Sequence, residues 1–166
     1  MRPLFAFLLS LLVLSGCGYH LTGKAGDMPG GVESLSIPVF TNVTLKPDIE
    51  SSVTTAFVNE FLTTVSIAED APFIMEGAIT SYNIAPVSFS RSDVVQEYRL
   101  TVVMDLRIQR RATGEVVWQA SGVADFEDFT VNTASPSETR DREEAALVKL
   151  ARDTARLIKE RMLVRF

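Results

Sequence analysis

Residues 97–110 run EYRLTVVMDLRIQR. Tyr98, Leu100, Val102, Met104, Leu106 and Ile108 alternate with Arg99, Thr101, Val103, Asp105, Arg107 and Gln109. Successive side chains of a strand point to opposite faces, so these two sets part cleanly. Six apolar positions in step on one side define a half-buried antiparallel strand whose other face is mostly polar.

The chain on either side fits around that strand. Residues 73–89 form a long strand, with Gly77 marking a bulge or bend and Pro86 a strand end. Ala112-Thr113-Gly114-Glu115 reads as a turn, and 116–131 as the last strand, with Trp118, Ala120, Ala124 and Phe126 in step. These three strands are spaced as a meander. Upstream, Leu35-Ser36-Ile37-Pro38-Val39-Phe40 is a short strand whose Pro38 marks an edge position or an early end. After Pro47, the residues Ile49, Val53, Ala56, Phe57, Phe61 and Val65 recur at helical steps, with Asp48 and Glu50 near the positive end. Ser135-Pro136-Ser137-Glu138 opens a second helix: a Ser cap, Pro in the first turn and Glu three residues on. Leu147, Leu150, Ala151, Thr154, Leu157, Ile158 and Met162 share one face of it. The expected fold is α+β, two helices packed on one face of a four-stranded mixed sheet, in the order β-α-β-β-β-α. The first crossover is expected to be right-handed.

The chain opens differently. Arg2 is the only charge before an apolar run from Leu4 to Leu14 that is broken only by Ser10. Spanning a bilayer takes roughly 17–25 apolar residues, so this run is too short. A basic start, a short apolar core and small residues before a cut site describe a secretory signal peptide. Leu14-Ser15-Gly16-Cys17 resembles the lipobox of bacterial lipoproteins. That resemblance implies cleavage before Cys17 and acylation of its thiol and new amino group. Several acyl chains, each buried CH₂ contributing roughly 0.8 kcal/mol, would anchor the chain stably. Gly18 rather than Asp after the cysteine implies the outer membrane as destination. The organisation is then 1–16 signal peptide, 17–32 a Gly-containing tether to the lipid, and 33–166 a single domain. Loss of Arg2 makes the body one unit more acidic than the −5 of the whole chain.

Composition excludes much chemistry. With 46% hydrophobic residues and only 9 Gly and 7 Pro among 166, the chain is neither disordered nor low-complexity. A net charge of −5 argues against nucleic acid as a partner. One cysteine and one histidine leave no Cys/His or Ser/His/Asp arrangement away from the anchor and no metal pattern. Glu69/Asp70, Asp125/Glu127/Asp128 and Glu143/Glu144 are adjacent acids of the kind that ordinarily sit solvated. No catalytic residue, metal site or cofactor is expected. The polar face carrying Arg99, Thr101, Asp105 and Arg107 has two readings, a solvated face or one packed against a larger partner.

Cys17-Gly18-Tyr19-His20-Leu21 resembles the start of the lipopolysaccharide-assembly lipoproteins, the LptE family. Gln96-Glu97-Tyr98-Arg99-Leu100 is similar to the Glu-Tyr strand start of the same family, and the element order matches. The resemblance implies a non-enzymatic outer-membrane lipoprotein. Such a protein plugs the lipopolysaccharide-translocating β-barrel (LptD), assists its assembly, and takes part in delivering lipopolysaccharide to the outer leaflet. It further implies glycolipid binding by basic residues at two places, here Arg91, six residues before Glu97, and Arg140, which opens Arg140-Asp141-Arg142-Glu143. Arg forks match phosphate oxygens in pairs, and that contact must be local on an acidic body. Arg91 has only Asp93 close by in sequence, whereas Arg140 is flanked by Glu138 and Asp141. The rival readings are a periplasmic adaptor lipoprotein of another envelope-assembly machine, and a lipid-anchored hydrolase built on a carboxylate pair.

Mass spectrometry of material from the native host is expected to find Cys17 at the mature N-terminus, acylated on thiol and amine. A free Cys17 thiol there would contradict the anchor.

Overall fold

The computed structural model describes residues 28–89 and 95–163. A short 3-10 turn, Pro29–Gly31, leads into β1 (Ser34–Ser36), β2 (Thr41–Asn42), α1 (Ile49–Phe61), β3 (Ser66–Ile67), β4 (Phe73–Phe89), β5 (Val95–Arg110), β6 (Val116–Thr130) and α2 (Pro136–Leu163). The sheet order is β3-β1-β4-β5-β6, with β2 also on β4. β1 pairs in parallel with β3 and β4, and β2 in parallel with β4, whereas β4, β5 and β6 form the antiparallel meander.

The sheet is thus mixed, as the sequence implies, but it has six strands where four were expected. The physical cause lies at Pro38, which has no N–H to give a ladder. The expected strand over 35–40 stops at Ser36, and pairing resumes on the same edge of β4 at Thr41. The two-residue β3 is too short to carry any periodic signal.

The inward row of β5 meets expectation: Leu100, Val102, Met104, Leu106 and Ile108 are all buried. They share one core cluster with Ile49, Val53, Ala56, Phe57 and Phe61 of α1 and with Ala146, Leu147, Leu150, Ala151, Ala155, Ile158 and Met162 of α2. Both helices therefore cover one sheet face. Leu157, expected on the buried stripe of α2, is exposed, and Ala155 is buried instead. Met28 and Val32, within the expected tether, are buried in this core, so the folded body begins no later than Met28.

Two long strands depart from simple alternation. In β6 the register slips between the pairs Met104–Val123 and Leu106–Ala120. The extra residue sits at Ser121-Gly122, where Gly122 has φ +64 and its N–H donates to Asp105 Oδ1 at 2.7 Å. A bulge of this kind inverts the phase of all that follows. Trp118 and Ala120 face the core, as expected, but Ala124 and Phe126 turn outward while Val123 and Phe129 are buried. In β4 the irregularities fall between Ile79 and Ser81 and on either side of Ser88, not at Gly77, and the strand runs past Pro86 to Phe89. Gly77 is instead a close-approach glycine. A Cβ there would lie 2.5 Å from the Phe40 ring, which packs edge-on against Phe57 at 5.1 Å.

The second helix starts where expected, with a modified cap. The Ser135 hydroxyl accepts the Glu138 N–H at 3.4 Å, but the Glu138 carboxylate turns to Asn132 Nδ2 (2.5 Å) and Arg142 instead of closing a box on Ser135.

Gly77→Ala is expected to destabilise the body by about 1–3 kcal/mol, the usual cost of overpacking. The same change on a Phe40→Leu background should cost less than half as much, as read by urea unfolding, because the ring that occupies the space is gone.

Candidate functional site

Covering one sheet face leaves the other bare. Directly opposed residues of antiparallel strands share a face, so the outer face holds the rows Ser81–Val103–Ala124, Asn83–Thr101–Phe126 and Ala85–Arg99–Asp128. Below them stand Glu76, Ala78, Asp105, Arg107, Gln109 and Gln119. Small side chains predominate on β4, and no lysine stands on β4, β5 or β6.

Four of the charges of this face are paired within it. Arg99 clasps Asp128 with two hydrogen bonds of 2.8 Å and lies 4.0 Å above the Phe126 ring. Arg107 donates to Glu76 at 2.5 Å, and Gln109 Nε2 donates to the other oxygen of Glu76 at 3.0 Å. Asp105 is held by the bulge at Gly122. The hydrogen bonds from Arg99, and secondarily its charge, hold the Asp128 carboxyl below the usual carboxylate range. Toward the β2 side lies an open concavity of about 610 Å³, floored by Gly77 and Ala78 and bordered by Val39, Asp105 and Arg107.

A second built feature joins the β2–α1 connection to α2. Asn42 is its hub: Oδ1 accepts the Thr44 N–H (2.9 Å) and hydroxyl (2.8 Å), while Nδ2 donates to Lys46 C=O (2.7 Å) and Glu50 Oε2 (3.0 Å). Oε1 of Glu143 accepts both Lys46 Nζ (2.7 Å) and the Tyr82 hydroxyl (2.6 Å). Burial, and then the hydrogen bond to and charge of Glu143, push the Tyr82 phenol well above its ordinary value. Asp48 closes the connection in the left-handed region, φ 63, directly before α1. Sequence reasoning missed this hub. The available signal was an Asn with Thr two residues on and Pro beyond, the composition of an Asx turn.

The expected site residues are distributed unevenly. Cys17 and Arg91 lie outside the described residues. Arg140 is exposed on α2 and has no ion pair among the described residues. The other members of its stretch have different tasks: Arg142 binds Glu138 and Thr130, and Glu143 holds Lys46 and Tyr82. Phe89 and Val95, which flank the segment containing Arg91, lie at the same end of the body as the start of α2. There Val131 N–H donates to Gln96 C=O at 2.8 Å. The adjacent acids form no catalytic pair among the described residues: Asp125 accepts Thr154, Glu127 pairs with Lys149, and Asp128 with Arg99. Nor do the described residues hold a group of three or more potential metal ligands, or a helix long and apolar enough to cross a membrane.

These surfaces define a small two-layer body with one bare sheet face. The same fold occurs in rare lipoprotein B from Shewanella oneidensis (14% identity, TM-score 0.52, covering 78% of this chain and 92% of that one). It also occurs in lipoprotein B from Nitrosomonas europaea (18% identity, TM-score 0.52, covering 88% and 90%). No curated protein matches the chain. The lipopolysaccharide-assembly family, LptE, matches residues 32–162, and the chain belongs to that family. It is a non-enzymatic protein of lipopolysaccharide assembly in the cell envelope.

Tyr82 gives a pH test. Its folded pKa lies above the unfolded value near 10, so the folded state keeps the proton longer. Its contribution is complete below pH ~10 and is lost as the pH climbs toward the folded value. Urea unfolding at pH 8 and pH 11 should show a larger loss of stability for the wild-type chain than for Tyr82→Phe. At pH 7 Tyr82→Phe should cost about 0.5–1.5 kcal/mol.

Proposed function

We propose that the chain is an outer-membrane lipoprotein, acylated at Cys17, that sits as a plug within the lipopolysaccharide-translocating β-barrel, LptD. It supports assembly of that barrel and delivery of the glycolipid to the outer leaflet. Membership of the family supplies the process. The observation that carries the plug reading is the outer face of β4–β6, where Arg99–Asp128 and Arg107–Glu76 are already paired and no lysine projects. Burying a charge alone is expensive, whereas burying one that brings its own partner is much less so. A face of small residues and self-paired charges is suited to lie against the hydroxyl- and amide-lined inside of a barrel.

The geometry also favours a division between the two ends. Pro29–Gly31 lies beside the start of β6, where Gly30 approaches Val117, and Phe89 and Val95, which flank the β4–β5 connection in sequence, lie at the opposite end. β6 alone, at about 3.3 Å per residue, separates these ends by some 45–50 Å. Met28, the first described residue on the side of Cys17, is thus at one end, and Arg140 with the strand ends that flank Arg91 in sequence is at the other.

Depleting the chain should lower the amount of correctly assembled barrel and of lipopolysaccharide at the cell surface together. Unchanged surface lipopolysaccharide, with a different envelope protein recovered on pull-down, would replace this reading by the adaptor. In a direct binding assay on the purified chain, Arg91→Glu should weaken lipopolysaccharide binding without changing the unfolding midpoint. Equal binding would remove Arg91 from the site.

A further inference from the structure

The connection between β2 and α1 displays apolar side chains from a locked frame. Leu45 is wholly exposed (103%) and Val43 nearly so (66%), although the backbone that carries them is pinned at Asn42, Thr44 and Lys46. The pinning extends to other elements through Glu50 of α1, Glu143 of α2 and Tyr82 of β4. A leucine that touches nothing contributes nothing to the fold, and immobilising the loop beneath it costs conformational entropy. Loop ordering completed before binding lowers the cost of binding, and aliphatic side chains displayed on such a frame are binding elements. We infer that residues 43–46 are a preorganised docking knob that inserts Leu45 into an uncharged aliphatic hollow of the barrel partner; this rests on the plug reading above.

Two observations favour that occupant, and a second copy of the chain is left as an outcome of the test. The loop's own cation, Lys46, is spent on Glu143, while Asp48 and Glu50 flank the loop. A loop that inserts into lipid pairs its apolar tip with free cations for the headgroups, and this one has acids instead. Finally, the knob is continuous with the surface proposed to face the barrel. Val43 N–H to Ile79 C=O (3.0 Å) is the last bond of its lane, and beyond it the edge of β4 is unpaired among the described residues.

The test uses the full-length acylated chain, affinity-tagged, in envelopes of the native host. Leu45→Asp should lower the barrel recovered per tagged chain at least tenfold, while Leu157→Asp, at an exposed leucine of α2, should leave recovery unchanged. Asn42→Ala, which keeps Leu45 but frees the loop, should lower recovery by an intermediate factor. A photoreactive phenylalanine analogue at position 45 should cross-link to the barrel. Undiminished recovery with Leu45→Asp, or a cross-link to lipid or to a second copy instead, would overturn the knob and leave the plug reading standing. Failure of the wild-type chain to recover any barrel would overturn the plug reading and the knob with it.

Discussion

The structure depends on the packing of one strand against two helices. Leu100, Val102, Met104, Leu106 and Ile108 form a continuous apolar row on β5, and α1 and α2 together close over it. A body of this size with two helices has enough apolar stripe to cover one sheet face and none for the other. Everything distinctive about the surface follows from that shortage, because a bare sheet face of three long strands must be made soluble without inviting non-specific pairing.

The chain meets this demand largely by internal pairing. Arg99 is tied to Asp128 and stacked on Phe126, Arg107 is tied to Glu76, and Asp105 is spent on the bulge at Gly122. The bulge itself does more than bend β6. By inverting the phase it moves Phe126 out to meet Arg99, and it turns Asp125 and Glu127 toward α2, where Thr154 and Lys149 receive them. Such exposed ion pairs add little stability. Their consequence is a face on which, of Arg99, Asp128, Arg107, Glu76 and Asp105, the last alone would be covered with a backbone N–H and, among the described residues, no opposite charge to meet it.

Legibility in the sequence followed the strength of local patterning. β5 could be placed from its alternation alone, and α1 from its apolar spacing, because burial on one side acts at every second or third residue. The inversion at Gly122 escaped the same method. Trp118, Ala120, Ala124 and Phe126 keep a perfect period of two in sequence, and only the pairing with β5 reveals the extra residue. β2 and β3 are two residues each and exist by tertiary pairing, with no periodic signal of their own. Gly77 reads locally as a bulge or bend in β4, but its reason, the ring of Phe40 thirty-seven residues earlier, is a contact that no local window contains. Of the site, the polar face of β5 was legible as polar, whereas its pairing with Glu76 and Asp128 on neighbouring strands was not. The Asn42 hub draws on α1, α2 and β4 at once and was invisible for the same reason.

The claim on which the account turns is that the outer sheet face is covered in the envelope. The chain has a single cysteine, Cys17, which acylation would occupy, so an introduced thiol can be read alone. Thr101→Cys reports the centre of that face, and Val148→Cys an exposed position on α2. The ratio of their maleimide labelling rates, compared between native envelopes and the isolated body, is the direct measurement. A ratio at least tenfold lower in envelopes is the predicted result; an equal ratio in both would contradict the account.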